Sequence, residues 1–157
     1  MTESGQMRRA VAVHPAGHWR EAAADRVTLP FHDRHRRRLR LVADSGRAFL
    51  LDLPRARHLT DGDELELDDG SHIRVCAADE PVIEIAADRP SDLLRIAWHI
   101  GNRHLPLQVL EGRLRLLADH VAAAMIEGLG GKIVHCEAPF DPETGAYGDG
   151  AHRHDHR

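Results

Sequence analysis

The chain has 157 residues, enough for one ordinary domain or two small ones, and a formal net charge of -4. That charge argues against binding nucleic acid by bulk positive charge. No apolar run approaches the length of a membrane-spanning helix, and the N-terminus lacks the apolar segment of a secretory signal. We therefore predict a protein that does not associate with membranes. Cys76 and Cys136 are far apart in the sequence and form no CxxC motif, which fits two free thiols in the reducing cytoplasm.

The first half of the chain has the pattern of β structure. Short apolar or alternating stretches are separated by turns that contain Gly and Asp. The predicted strands cover residues 26–29, 39–42, 48–53, 64–67 and 73–76. These strands predict a β-rich N-terminal domain over residues 1–78.

The second half changes its hydrophobic period. Residues 82–86 form an apolar stretch typical of a strand, and Ser91 is a good N-cap for a helix that Gly101 can end. Two strands are predicted at 105–110 and 114–117. Asp119 can then cap a second helix, followed by a strand over residues 132–136.

In the second helix the apolar residues Val121, Ala124, Met125 and Leu129 predict the buried side. The whole order, β-α-β-β-α-β, is that of a ferredoxin-like domain. We therefore predict an α+β protein, with a ferredoxin-like domain over residues 79–140 and a His-containing tail over residues 141–157. The fold class does not determine the function.

Histidine is the unusual component of this chain. It occurs 13 times, more often than Trp, Tyr and Phe together. Imidazole is a common ligand of divalent metals, so the composition suggests a metal site. However, His99 and His104 would lie roughly 140° apart on a continuous helix and are poorly placed to share one ion. From its position alone, His104 is predicted to be a hydrogen-bonded loop residue.

The segment HIGNRHLPLQV, residues 99–109, resembles the signature of the UreE family, metallochaperones that help load nickel into urease. Asp119-His120-Val121, the stretch 138–147 and the His-containing C-terminus resemble the same family. The resemblance implies a homodimer joined through the C-terminal domains, with His104 meeting its symmetry mate across the two-fold axis. It also implies that the N-terminal domain makes contacts with other proteins.

The resemblance implies Ni²⁺ as the metal, and Cu²⁺ or Zn²⁺ can be expected at the same site in vitro. Its implied partners are the urease apoprotein complex and the maturation GTPase of urease. The tail histidines are expected to be auxiliary ligands, because a tethered ligand has a high effective concentration; they are His152, His154 and His156. His120 and His99 are weaker candidates, and Ala118 stands where some family members carry a further ligand.

The leading prediction is a nickel-binding metallochaperone, and the alternative is a His-rich metal buffer without a dedicated recipient. A third hypothesis is a protein-docking module in the β-rich domain. The sequence contains no HExxH motif, no Gly-rich phosphate loop and no GxSxG motif, so we predict that the protein is not an enzyme. The Arg-rich stretch 34–40 is typical of a solvated strand edge, or of a surface that docks an acidic partner. Since aromatic residues make up only 4% of the chain, we expect no nucleic-acid partner.

Overall fold

The computed structural model describes residues 5–145, so the predicted tail ligands lie outside the described residues; these are His152, His154 and His156. The chain divides into two compact units, Met1–Ala78 and Asp79–Arg157. The first unit is rich in strands, and the second combines strands with helices. This architecture confirms the predicted α+β fold class. No helix in the described part of the chain is long and apolar enough to cross a membrane.

The first unit contains a six-stranded sheet with the order β2-β6-β5-β1-β4-β3. Its strands are β1 (Arg9–His14), β2 (Asp25–Leu29), β3 (His35–Val42), β4 (Ala48–His58), β5 (Glu64–Leu67) and β6 (His72–Ala77). The pairs β1–β4 and β2–β6 are parallel, and the other neighbours are antiparallel. Strand β3 lies at one edge of this sheet.

Alternate residues of β4 supply the centre of the first core. Phe49, Leu51 and Leu53 are buried because successive side chains of a strand point to opposite faces. They pack with aliphatic residues from the other strands, including Val27 and Ile73. Phe49 is the one aromatic residue in this core cluster, so the core rests on aliphatic side chains.

The second unit follows the predicted β-α-β-β-α-β order. Its elements are β7 (Asp79–Ala86), α1 (Pro90–Asn102), β8 (Gln108–Leu110), β9 (Arg113–Leu117), α2 (His120–Gly128) and β10 (Lys132–Pro139). The four strands form an antiparallel sheet with the order β10-β7-β9-β8. The first and third strands of the unit are therefore central, as the ferredoxin-like arrangement requires.

The two helices of the second unit begin in different ways. Asp119 caps α2 as predicted, because its Oδ1 accepts hydrogen bonds from the backbone N–H groups of Val121 (2.8 Å) and Ala122 (3.2 Å). The predicted N-cap of α1, Ser91, is wrong. The helix begins at Pro90, and Arg89 is the N-cap residue without a side-chain capping bond. Proline at the first helical position has its φ already fixed and lacks an N–H that would need a partner.

The predicted buried face of α2 is also wrong, except for Met125, which is half-buried and packs against the core cluster. The buried residues are Ala122, Ala123 and Ile126, whereas Val121 is 59% exposed. The helix has only nine residues and is apolar on nearly every side, so its sequence does not distinguish one face from another. The shift leaves Val121 on the surface, beside the turn that carries His104.

Gly131 permits the close packing of α1, α2 and the start of β10. A Cβ atom at this position would lie 2.5 Å from Ile126 Cγ2 and 3.1 Å from Ile96 Cδ1. We expect Gly131→Ala to destabilise the second unit by about 1–3 kcal/mol, because both isoleucines are fully buried and have little room to move. Urea denaturation measures this loss.

Gly128→Ala is the matched control, since a Cβ atom at Gly128 would meet nothing within 4 Å. We expect this variant to be neutral or slightly stabilising, because alanine is the better helix former. Equal losses of stability in the two variants would contradict the packing explanation.

Candidate metal site

His104 lies in the turn that ends α1. Its backbone N–H donates to the carbonyl oxygen of Gly101 (3.0 Å), and the N–H of Leu105 donates to that of Ile100 (3.3 Å). This pair of bonds is the pattern of a Schellman motif, in which the residue after the helix C-cap takes the left-handed conformation. The C-cap is Arg103, and His104 has a φ of 57°.

Glycine usually occupies this left-handed position, because a Cβ atom there costs roughly 1 kcal/mol. Among the described residues, His104 is the one non-glycine residue with a positive φ. The expectation that Gly101 ends the helix is wrong, because α1 continues through Gly101 to Asn102. Backbone strain of this kind concentrates at functional sites, so the conformation makes His104 a candidate for a functional role.

The turn presents the His104 side chain on a rigid support. Leu105, the next residue, packs against the core cluster that contains Ile96 and Ile100. His104 itself is exposed. The imidazole is therefore accessible to a metal ion, while the backbone beneath it is fixed by two hydrogen bonds and a buried neighbour.

An open groove joins the His104 turn to the start of α2. It has a volume of about 370 Å³ and is lined by Arg103, Leu105, Asp119, Val121, Ala122 and Met125. Arg103 and Leu105 flank His104 in the chain, and Asp119 and Val121 flank His120. The fold thus brings the chain neighbours of these two exposed histidines to one groove. The sequence did not predict this groove, because it placed Val121 on the buried side of α2 and not on the surface.

His99, the other weak candidate, is half-buried on α1. Its ring meets that of Trp98 edge-on, with 5.0 Å between the centroids. Within residues 5–145, no group of three or more His, Cys, Asp or Glu side chains lies close enough to hold a metal ion. The described part of one chain thus supplies His104 and His120 as exposed imidazoles near the groove, and does not assemble a complete coordination sphere.

The first residues of the predicted tail, 141–143, are attached close to the His104 turn. The backbone N–H of Glu143 donates to the Leu107 carbonyl oxygen (2.8 Å), and the N–H of Val109 donates to Glu143 Oε1 (3.2 Å). The N–H of Asp141 donates to Gln108 Oε1 (3.0 Å). Residues 141–143 are therefore held beside residues 107–109, which begin three positions after His104.

Comparison with known proteins decides the family. The family model described as the N-terminal domain of UreE urease accessory protein matches residues 8–78, and the model of the C-terminal domain matches residues 80–157. The chain belongs to the UreE family of urease accessory proteins. These two matches cover both units of the fold, and they confirm the resemblance that the GNRH segment indicated.

Individual UreE proteins are similar over nearly the whole chain. The urease accessory protein UreE of Rhodopseudomonas palustris (strain HaA2) is 56% identical over 90% of this chain and 66% of its own length. That of Bradyrhizobium sp. (strain ORS 278) is 53% identical over 94% of this chain and 70% of its own length. That of Rhodobacter capsulatus is 46% identical over 96% of this chain and 94% of its own length. The chain thus spans about two thirds of the first two relatives and nearly all of the third.

Proposed function

We propose that this chain is a cytoplasmic nickel carrier in urease maturation, which passes Ni²⁺ to the urease apoprotein complex and its maturation GTPase. The observation that carries the proposal is the exposed imidazole of His104, held in a strained left-handed turn, in a chain of the UreE family. In this role the metal is cargo, and the protein is a chaperone and not an enzyme.

A homodimer through the second unit would complete the site. One imidazole is a weak ligand, but a two-fold axis beside His104 supplies two identical ligands from one residue. The apolar groove and the exposed Val121 give this region a surface that a second copy could cover. Arg103 and Asp119 both line this groove. In a symmetric contact between two copies, Arg103 of one copy could therefore pair with Asp119 of the other.

Nitrogen ligands without thiolates suit a carrier. Two imidazoles leave positions of the ion open for ligands from a recipient, whereas a closed thiolate cage would retain the metal. The same chemistry gives little selectivity, because Cu²⁺ binds such ligands more tightly than Ni²⁺ and Zn²⁺ also binds them. Nickel would therefore be selected by supply and by the partner proteins.

The tail histidines are proposed as auxiliary ligands. His152 follows Gly145 by seven residues, which span at most about 25 Å when extended. Because Glu143, near the start of the predicted tail, is attached at residues 107–109, the tail begins close to the His104 turn. The His120 side chain, next to the same groove, is a further candidate.

Removal of residues 152–157 separates a carrier from a buffer. We expect the shortened protein to keep its tightest nickel site, because His104 remains, and to bind fewer ions in total. Isothermal titration calorimetry measures both quantities. The shortened protein, loaded with nickel and mixed with urease apoprotein complex under excess chelator, should still activate urease, though more slowly.

The control is a full-length variant with alanine at His152, His154 and His156, which keeps the length of the tail but removes its imidazoles. It should behave like the shortened protein. Loss of most nickel binding, including the tightest site, in both variants would favour the metal buffer and contradict delivery from His104.

A further inference from the structure

The edge of the first sheet carries a concentration of positive charge. We call this surface the Arg-rich edge; it comprises Arg36, Arg37, Arg38 and Arg40 of β3 and Arg55 and Arg57 of β4. All six are exposed except Arg57, which is half-buried. The charge is local, because the whole chain has a net charge of -4.

Within residues 5–145, few carboxylates neutralise this surface. Asp33 Oδ1 lies 3.5 Å from Arg36 Nη2, and Asp52 Oδ1 lies 4.0 Å from Arg38 Nε. Asp52 also accepts hydrogen bonds from Arg9 on β1. The hydrogen bonds from Arg9 lower the pKa of Asp52, and the charges of Arg9, Arg38 and Arg37 lower it further. The carboxylate of Asp52 is thus shared among several guanidinium groups, and the edge keeps an excess of positive charge.

The fold itself does not require these arginines. Arg36 pairs in register with Arg57 across β3 and β4, and like charges directly opposite each other destabilise a sheet. Arg34 shows the contrast, since it is fully buried and donates to the carbonyl oxygens of Leu29 and Leu59. Within the stretch 34–40, Arg34 is therefore a structural residue, whereas the other arginines are exposed and repel one another. A bound anionic group would relieve this repulsion.

The position of β3 favours an extended ligand. It is an edge strand of the described sheet, so the backbone on its outer side can pair with an added strand. Arginine on an edge opposes pairing with a second copy of itself, because the same charges would meet. An acidic strand would be attracted by the guanidinium groups and could pair with the backbone as well.

We propose that the Arg-rich edge is a docking surface for an acidic, extended segment of a partner protein. Guanidinium groups pair with carboxylates through two parallel hydrogen bonds, which suits Asp or Glu side chains that alternate along a strand. Neither β3 nor residues 54–58 of β4 contain Trp, Tyr or Phe. The aromatic rings of the edge are those of His35 and His58, which stack on each other with 6.3 Å between their centroids, so the arginines and not aromatic rings dominate this surface. The surface requires no nickel and does not depend on the proposed carrier role.

Fluorescence anisotropy with a labelled peptide of alternating Glu and Val tests this proposal on the full-length protein. We expect binding that weakens between about 50 mM and about 300 mM salt. A triple variant, Arg37→Glu, Arg40→Glu and Arg55→Glu, should bind at least about tenfold more weakly. The corresponding Gln variants should give a smaller loss in the same direction, and circular dichroism should show that both keep their strands.

The control triple variant changes three exposed arginines of the same unit to Glu, with the same change in net charge; they are Arg20, Arg26 and Arg47. It should bind the peptide within about twofold of the unchanged protein. Three outcomes would overturn the proposal. The first is absence of peptide binding at low salt, and the second is an equal loss of peptide affinity in the two Glu variants. The third is that a single-stranded RNA of equal charge binds more tightly than the peptide and loses this binding in the Glu variant of the Arg-rich edge.

Discussion

Replacement of His104 by glycine should weaken the tightest nickel site by at least about 100-fold. Loss of a group that only hydrogen-bonds to a metal ligand typically weakens metal binding by about 10–100-fold, and loss of the ligand itself should cost more. The exposed imidazole is the proposed ligand, and the same change in both copies of a dimer removes two ligands at once. Glycine also suits the left-handed φ of 57° at this position. Calorimetric nickel titration measures the affinity.

The stability of two His104 variants separates ligation from backbone effects. We expect His104→Gly to unfold at the same or a higher urea concentration than the unchanged protein, since glycine favours the Schellman position. His104→Ala should be less stable than His104→Gly by about 1 kcal/mol, because alanine keeps the strained Cβ. Both should lose the tight nickel site equally, although they differ in stability.

His120→Ala is the control for a neighbouring exposed imidazole. It should retain the tightest nickel site, because His120 is at most an auxiliary ligand in this account. If calorimetry shows unchanged tight binding in both His104 variants, His104 is not the central ligand. If only the alanine variant loses binding, backbone distortion and not ligation explains the loss.

Replacement of Ile100 by alanine should destabilise the second unit by about 2–5 kcal/mol. Ile100 is fully buried, and its carbonyl oxygen accepts hydrogen bonds from the backbone N–H groups of Arg103 and Leu105 at the base of the His104 turn. The change leaves a cavity in the core cluster where α1 packs on the sheet. A large part of the ~5–15 kcal/mol that stabilises a typical domain would be lost.

Leu94→Ala is the control for this change on the same helix. The Leu94 side chain is 71% exposed, so its truncation should change the free energy of unfolding by less than about 0.5 kcal/mol. Urea denaturation measures both variants, and nickel affinity under native conditions shows whether the turn keeps its form. Similar losses of stability in the two variants would mean that Leu94 is covered in the assembled protein.

The sequence predicted the order of the elements better than their details. Alternating residues such as those of β4 and the capping carboxylate of Asp119 are local signals, and the structure confirms both. Strand β1 was not predicted, because its apolar residues 10–13 form a short unbroken run without the alternation of polar and apolar residues that marks a strand. The buried face of α2 could not be predicted either, since apolar residues surround the helix and tertiary packing selects the face.

For the candidate site, the sequence proposed His104 as a metal ligand, which stays a prediction, and it did not predict the conformation of the turn that carries this residue. The GNRH segment identified His104 through its resemblance to a family, whereas hydrophobic periodicity predicted a helix that ended at Gly101. The structure shows that the helix passes this glycine and that His104 takes the left-handed position. The groove between the His104 turn and α2 depends on contacts between residues far apart in the chain, which no local pattern reveals.

The number of tightly bound nickel ions per chain shows whether two copies of His104 share one ion. A site built from two His104 side chains across a two-fold axis should bind about one Ni²⁺ ion per two chains. Calorimetry on the protein lacking residues 152–157, with its dimeric state established by sedimentation, measures this ratio without the tail histidines. We expect half an equivalent per chain, which disappears in the His104→Gly variant. One full equivalent per chain, retained in that variant, would contradict the shared site.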